Sequence, residues 1–215
     1  MICQMRKASM NYVLSNEKDL REHYLAPSDG ALVKQLNHID PHCGSLIELS
    51  PLVCIGTARE GAMPDVSPRG GEPGFVKIAD PQTLYLPDWP GNNRLDTMTN
   101  VVAAGRVGLL FFVPGFNDML RVNGRAEISV DPEILGQFEM RSRNPKSVMV
   151  IHVEEAYLHC TKALVRSDLW NSEKHLDRAA LPSAGAMYRD QMALEDIPAK
   201  MIDDALEQNE KDDLY

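Results

Sequence analysis

The residues with the clearest potential for chemistry lie in one segment, YLPDWPGNNRLDTMTN, at residues 85–100. It reads as the end of a strand, a turn rich in proline and glycine, and the start of a helix. A helix start presents unpaired backbone N–H groups and a partial positive charge, and both favour an anion. Arg94 adds a planar fork of donors suited to phosphate. Neutral donors come from Asn92, Asn93 and Thr97, so the segment predicts a phosphate-binding site.

A purely structural interpretation of the same residues stays open. Helix starts are rich in asparagine, so Asn92 and Asn93 can simply cap the helix. Arg94 can pair with the nearby carboxylates of Asp88 or Asp96 instead of a ligand. The spacing of the residues does not decide between these two interpretations.

Two further stretches place polar side chains where a ligand could reach them. Residues 65–78, DVSPRGGEPGFVKI, hold Arg69 between a strand and a glycine-rich loop, from which a side chain can project toward a pocket. In residues 120–125, LRVNGR, Arg121 and Asn123 point to the same face of one strand. The alternative in each case is a solvated surface side chain. For residues 120–125 the pattern alone favours this alternative.

The first fifty residues read as helical. Capping residues open three segments, at Ser15 or Asn16, at Ser28 and at Asp40. The last of these is followed by Pro41, which is well suited to the first position of a helix. These helices precede the segments that carry the polar side chains.

From residue 52 the pattern changes to short apolar segments separated by turns. The predicted strands cover residues 52–58, 64–68, 75–78, 83–86, 107–113, 120–130 and 147–160, with helices at about 95–104 and 132–139. The continuous apolar run at 107–113 is typical of a strand covered on both faces. Since regular crossover helices are missing, we expect a fold that is mainly β with helices (α+β), a small closed or partly closed barrel.

Composition and charge narrow the function classes. The chain has 215 residues and a net charge of −9, and residues 190–215 hold nine acidic and two basic residues, so the rest is nearly neutral. This is not the basic surface that nucleic acid requires, and no apolar run is long enough to cross a bilayer. The four cysteines lack metal-ligand spacing. We expect a cytoplasmic protein with a small-molecule substrate, no metal site, and no nucleic-acid or membrane partner.

Four motifs in a fixed order carry a resemblance to a known family. They are PDVSPRGGEPGFVKI, YLPDWPGNNRLDTMTNVV, GRVGLLFFVPG and LRVNGRAEI, within about residues 40–170. Together they resemble the FMN-binding proteins related to pyridoxamine 5'-phosphate oxidase, in a bacterial subgroup rather than the oxidase itself. The resemblance implies a six-stranded split β-barrel that forms a homodimer, with FMN in clefts between the subunits. The expected bounds are a helical extension at 1–50, the FMN-binding domain at 51–170 and an acidic tail at 171–215.

The resemblance also assigns roles to particular residues. Asn92, Asn93 and Arg94 would grip the FMN phosphate, with Thr97 close by. The remaining residues fall into three sets: Pro87 and Asp88 along the flavin and ribityl chain, Arg69 and Lys77 on the walls of the same cleft, and Arg121 and Asn123 on the strand that reaches the flavin from the partner subunit.

The function that the resemblance implies is that of an FMN-dependent oxidoreductase acting on a small substrate, with no catalytic residue assigned. The signature that binds pyridoxal phosphate in the oxidase is not preserved around Trp170 and residues 174–178, so vitamin B6 oxidation is not expected. Two alternatives stay open. One is a split barrel that uses deazaflavin or haem, and the other is a non-catalytic FMN carrier or sensor whose acidic tail contacts a partner.

Overall fold

The computed structural model describes residues 12–212, and the chain divides after Gln35 into two compact units. Within residues 12–212 the α-helices are α1 Glu17–His23, α2 Asp29–Val33, α3 Pro41–Leu49, α4 Asp96–Ala104, α5 Pro132–Leu135, α6 Lys162–Ser167, α7 Ala184–Gln191 and α8 Ala199–Asp212. The strands are β1 Leu52–Thr57, β2 Asp65–Gly70, β3 Lys77–Asp80, β4 Thr83–Asp88, β5 Arg106–Phe112, β6 Met119–Ser129 and β7 Ser147–His159. Cys3 and the outer ends of the predicted N-terminal extension and acidic tail lie outside the described residues.

The first unit holds two short helices at the positions that the capping residues predict. The Asn16 side chain caps α1 by accepting a hydrogen bond from the Asp19 amide at 3.0 Å. Ser28 is the N-cap residue of α2, although its side chain makes no hydrogen bond to the helix. No residue of α1 is buried, so packing within this unit contributes little to its stability.

The second unit is built on one antiparallel sheet with the strand order β2-β1-β5-β6-β7-β4-β3. The pairs β1–β2, β3–β4 and β5–β6 join strands that are consecutive in the chain. Helix α4 carries the chain from β4 on one side of the sheet to β5 on the other. The predicted class, mainly β with helices, is confirmed. The described sheet has seven strands, where the resemblance implied six.

The sheet is curled but not closed. Strands β2 and β3 are its two edges, so no ladder of hydrogen bonds joins the first strand of the order to the last among the described residues. Strand β2 is first in the order and β4 is sixth, yet Arg69 Nε and Asp88 Oδ1 lie 3.9 Å apart. The two sides of the sheet therefore approach each other as in a barrel and leave an open seam between β2 and β4.

The barrel interior is filled by alternate residues of the long strands. Along β5, Val107, Leu109 and Phe111 are buried in the core. The other face of β5, which holds Leu110 and Phe112, is only partly buried. The prediction of a strand covered on both faces is therefore wrong for the single chain, because an apolar run shows the character of both faces but not what covers them.

Two helices that pack on the barrel have polar contacts as well as apolar ones. Asp40 caps α3 by accepting a hydrogen bond from the Cys43 amide at 2.8 Å, as the Asp-Pro start predicts. Helix α4 buries Val101 in the core, and its Asn100 Nδ2 donates to Thr57 Oγ1 at 3.1 Å inside the protein. This buried hydrogen bond sets the position of α4 relative to β1.

Beyond β7 the chain forms α6 and then a hairpin of α7 and α8. Asp203 of α8 accepts hydrogen bonds from the Ser183 hydroxyl and the Gly185 amide, each at 2.7 Å. These bonds satisfy groups at the start of α7 and hold the two helices together. Part of the acidic tail is therefore regular helix, while the predicted domain bounds stay predictions.

Candidate functional site

A cleft opens at the seam, between β2 and the segment that joins β4 to α4. Its volume is about 550 Å³, within the range of small-molecule sites. Of the ten site residues predicted from the sequence, those that line it are Arg69, Pro87, Asp88, Asn92, Asn93, Arg94 and Thr97. The fold thus brings together the two polar segments that the sequence singles out, which lie on strands at opposite sides of the sheet.

The loop that leads into α4 has an unusual backbone. Asn93 and Leu95 both have positive φ angles, of 57° and 59°, whereas Arg94 between them does not. Such left-handed geometry is tolerated by asparagine and is costly for leucine. Left-handed residues before a helix can direct backbone N–H groups toward an anion. Within this turn the Arg94 amide is already bonded to the Asn92 side chain, so the backbone donors that suit a phosphate are those of the helix start.

The asparagines of this loop do not cap the helix. The N-cap residue of α4 is Leu95, which has no side chain able to bond to the first turn. The Asn92 side chain instead accepts a hydrogen bond from the Arg94 amide at 3.0 Å, which stabilises the turn itself. The first-turn amides of α4 therefore receive no side-chain cap, and the helix start keeps its affinity for an anion.

Arg94 lies at the mouth of the cleft and is largely solvent-exposed. Its Nε donates to Asp96 Oδ2 at 2.9 Å, which is one of the pairings that the structural interpretation foresees. The two side chains are 76% and 51% exposed, so this ion pair is worth only about 0.2–1 kcal/mol. A doubly charged phosphate can therefore compete with Asp96 for the guanidinium.

Arg69 and Asp88 form a better shielded pair on the cleft wall. Their side chains are 26% and 18% exposed, and Arg69 Nη1 also donates to the Pro68 carbonyl at 2.9 Å. Burial raises the pKa of Asp88 above its usual value of 3.8, while the charges of Arg69 and Lys146 act in the opposite direction. The Asp88 carboxylate thus holds Arg69 in place, although burial of this carboxylate disfavours its charged form.

Lys146 belongs to the cleft, and the sequence analysis does not single it out. Its Nζ donates to Asn93 Oδ1 at 3.1 Å, and its backbone N–H donates to the Asp88 carbonyl at 3.0 Å. It precedes β7, which pairs with β4, so Asp88 is directly opposite Ser147. The pairing of β4 with β7 therefore places Lys146 beside the loop that follows β4, and this pairing cannot be seen in the sequence.

Thr97 lines the cleft but is committed to another contact. It is 2% exposed, and its hydroxyl donates to Asp65 Oδ2 on β2. The same carboxylate accepts from the Ser67 hydroxyl at 2.9 Å. Asp65, which the sequence analysis also misses, therefore connects the first turn of α4 to β2. The Thr97 hydroxyl donates to this carboxylate, so Thr97 stabilises the site and does not donate to a ligand.

The cleft is positively charged within an acidic chain. Its charged side chains are those of Arg69, Arg94, Lys146, Asp88 and Asp96. They give a net charge of +1, whereas the whole chain carries −9. An anionic ligand is therefore attracted to this cleft more than to the average surface.

Apolar surface adjoins these charges. Pro87 is buried at the end of β4, and Trp89, half-buried, follows at the start of the loop; both line the cleft. An indole ring offers a flat apolar face against which a planar ligand can lie. The cleft thus combines an anion-binding end with surface suited to an aromatic ring.

Lys77 does not line this cleft, in contrast to the expectation from the resemblance. Its ammonium donates to the carbonyl of Gln137 and lies 4.8 Å from the centre of the Phe138 ring. Both partners follow α5, so the side chain serves the packing of that segment.

Arg121 and Asn123 lie on the outer face of β6, outside this cleft. Arg121 Nε donates to Asn123 Oδ1 at 3.3 Å, and Asn123 Nδ2 donates to Glu155 Oε2 at 2.8 Å. The Arg121 guanidinium lies 5.9 Å from the centre of the Tyr157 ring. They share one face, as predicted, and form a polar cluster with β7.

Residues 12–212 hold no group of three or more His, Cys, Asp or Glu side chains placed to bind a metal ion. None of the helices in this range is both long enough and apolar enough to span a bilayer.

An open, curled antiparallel sheet with a cationic cleft at a strand-to-helix turn places the protein in the split-barrel class. The chain belongs to the pyridoxamine 5'-phosphate oxidase family, whose model matches residues 39–160, more than half of its length. The match spans the strands and the cleft. A comparison with curated proteins finds no match.

Several solved structures are similar to the chain. HupZ of Group A Streptococcus is 21% identical, with 56% of this chain and 93% of that chain covered and a TM-score of 0.47. A putative pyridoxamine 5'-phosphate oxidase of Lactobacillus delbrueckii is 22% identical, with 58% and 98% covered and a TM-score of 0.45. A FAD-binding protein of Mesorhizobium loti is 17% identical, with 59% and 97% covered and a TM-score of 0.39. The family assignment rests on the family model and not on these structures.

Proposed function

We propose that the protein binds FMN in this cleft and acts as a flavin-dependent oxidoreductase on a small substrate. The observation that carries the proposal is the convergence, at one cleft, of three cationic side chains and a left-handed turn at an uncapped helix start. A terminal phosphate binds best where fixed N–H donors and positive charge coincide. Membership of a family named for an oxidase supports the reaction class.

The residues of the cleft fit a flavin mononucleotide. The turn at Asn93 and Leu95, with Arg94 beside it, would hold the phosphate. Pro87 and Trp89 would provide the apolar surface for the planar ring. A cleft of about 550 Å³ is within the range of cofactor sites.

When bound, FMN supplies the hydride or electron transfer itself. The chain's own residues bind and orient the cofactor, set the local charge and exclude water. Arg69, held in place by Asp88, would contribute a hydrogen-bond donor and positive charge to the wall of the cofactor cleft. We assign no general acid or base.

The proposal includes a homodimer in which the partner subunit completes the cleft. Leu110 and Phe112 are only partly buried on the outer face of β5. Leu110 is paired directly with Arg121 of β6, so this apolar surface and the polar cluster share one face. Such a face suits contact with a second copy, which would bring Arg121 and Asn123 toward the partner's flavin.

The test is a titration of the flavin-free protein with FMN and with riboflavin, followed by flavin fluorescence. Riboflavin lacks only the phosphate, so we expect FMN to bind at one molecule per protomer and at least roughly tenfold more tightly. No FMN binding, or equal affinity for the two flavins, would overturn the proposed site.

Two further measurements separate the alternatives, the first of them on the protein as purified, before any flavin is removed. The absorption spectrum of the purified protein distinguishes a bound flavin from a deazaflavin or a haem. Oxidation of NADH in the presence of FMN and an artificial acceptor distinguishes an enzyme from a carrier or sensor. A protein that binds FMN but shows no turnover with a range of donors and acceptors would favour the carrier.

A further inference from the structure

Lys146 makes two hydrogen bonds to the segment that forms the proposed phosphate site. Its backbone N–H donates to the Asp88 carbonyl at 3.0 Å, where β4 ends. Its side chain donates to Asn93 Oδ1 at 3.1 Å, where the backbone has turned to a φ of 57°. One residue from a distant part of the chain thus contacts this segment at the end of β4 and again at Asn93, two residues before the N-cap residue of α4.

The side-chain bond has a chemical consequence for Asn93. An ammonium group only donates hydrogen bonds, so it must face the amide oxygen and not the amide nitrogen. Lys146 therefore fixes which way the Asn93 amide is turned, with Oδ1 toward the lysine and Nδ2 away from it. Without the lysine, the two ends of the amide could exchange places at little cost, and the oxygen could then face a bound anion.

Charge adds to this effect. Lys146 is exposed, and its charge acts on the Asp88 carboxyl against the rise in pKa that burial causes, so this charge is felt within the cleft. The backbone bond continues the pairing of β4 with β7 and does not depend on the side chain, whereas the bond to Asn93 requires a side-chain donor. The side-chain bond and the charge together point to a role in the site.

We propose that Lys146 is a positioning residue of the phosphate site, which turns the Asn93 amide nitrogen toward the ligand and holds the loop in its left-handed form. This inference rests on the proposed function, because it assigns a further residue to the same site. Lys146 acts through Asn93, so it need not touch the phosphate.

The experiment is a double-mutant cycle on the full chain with Lys146→Met, Asn93→Ala and the double variant, titrated with FMN and riboflavin. We expect Lys146→Met to weaken FMN binding on the order of tenfold, leaving riboflavin affinity unchanged. In the Asn93→Ala background the same substitution should add little, since its route to the ligand is already removed. Lys146→Arg, which keeps a donor and a charge, should restore part of the affinity.

The control is Lys162→Met, which removes an exposed lysine at the start of α6 that does not line the cleft. Three results would contradict the inference while leaving the FMN site in place. Lys146→Met could bind FMN as tightly as Lys162→Met, could lose affinity for FMN and riboflavin equally, or could add its full effect on FMN affinity to that of Asn93→Ala. If the unmodified protein binds no FMN, both the site and the role of Lys146 are overturned. Thermal unfolding of each variant verifies that all of them are folded.

Discussion

Arg94 has two candidate partners, the Asp96 carboxylate that it contacts and a phosphate that the loop would hold. The Asp96 pair is exposed and weak, whereas a charge-assisted bond to phosphate contributes about 1.5–3 kcal/mol. The balance therefore favours the ligand whenever it is present. Under the proposed function, the Arg94–Asp96 pair belongs to the free protein and the contact of Arg94 with phosphate to the bound one.

The first prediction follows from this balance. Arg94→Ala should weaken FMN binding by about 10- to 150-fold, as the loss of 1.5–3 kcal/mol requires, with the fold unchanged. Asp96→Asn, which removes the competing carboxylate, should bind FMN as tightly as the unmodified protein or more tightly. Fluorescence titration measures both affinities. An Arg94→Ala variant with an unchanged dissociation constant would show that the arginine has no part in the site.

Asp88 provides a prediction about stability and pH. Burial raises its pKa in the folded protein above 3.8, so the folded state holds this proton more tightly than the unfolded chain does. The contribution of Asp88 to the free energy of unfolding therefore falls as pH rises from 3.8 through the raised pKa. Asp88→Asn carries no such proton, so its stability relative to the unmodified protein should increase across that window.

Urea unfolding at a series of pH values between about 3 and 7 measures this difference. Asp88→Asn also loses the partner of Arg69, which changes the offset between the two curves more than their relative slope. A difference that stays constant with pH, or declines as pH rises, would contradict a raised pKa for Asp88.

At the scale of elements, local patterns predict most of this structure. Short apolar segments and the turn residues between them predict all seven strands, and Asp40-Pro41 predicts the start of α3 correctly. These signals are local, because capping and strand patterning depend on neighbours in the sequence. The segment around Arg94 could be singled out for the same reason.

The sequence does not reveal the contacts that are made between distant strands of the sheet. Lys146 is 53 residues from Asn93, and Asp65 is 32 residues from Thr97. Both meet their partners only because strands distant in the chain come together, and a single sequence contains no record of that pairing. The left-handed conformation of Leu95 is also unpredictable, since leucine is among the residues least suited to it.

The backbone conformation of Leu95 leads to a prediction about the stability of the start of α4. It is the N-cap residue of α4, with φ 59° and ψ 23°, and it is 53% exposed. Leu95→Gly and Leu95→Ala both lose the side-chain contacts, but only glycine adopts this backbone without strain. Leu95→Gly should therefore be more stable than Leu95→Ala by roughly 1 kcal/mol, measured by urea unfolding. Equal stability of the two variants would mean that the loop relaxes out of this conformation in solution.

At the scale of the whole molecule, charge is segregated. Residues 190–215 hold nine of the acidic residues, while the cleft has a net charge of +1. The overall charge of −9 therefore does not oppose an anionic ligand at the site as strongly as its size suggests. What the cleft lacks within one protomer is any contact with Arg121 and Asn123, which lie on the outer face of β6.

The proposed dimer resolves this separation and predicts that two defective subunits can complement each other. If Arg121 serves the cleft of its partner, Arg94→Ala and Arg121→Ala should each weaken FMN binding in their own homodimers. A mixed dimer then contains one cleft with both defects and one with neither, because the intact Arg94 and the intact Arg121 meet in the same cleft. We expect half of the sites in mixed dimers to bind FMN with the original affinity.

The mixture is prepared by unfolding and refolding the two variants together, and differently tagged subunits allow the mixed species to be isolated. FMN titration then measures how many sites regain full affinity. If Arg121 acted on the cleft of its own protomer, each cleft of the mixed dimer would keep one defect, and no site would recover. Light scattering of the unmodified protein is the necessary companion measurement, since a mass of 24.0 kDa rather than twice that value would exclude the shared cleft altogether. The two outcomes differ because complementation depends on residues from different subunits converging on one flavin, and no arrangement within a single barrel can reproduce it.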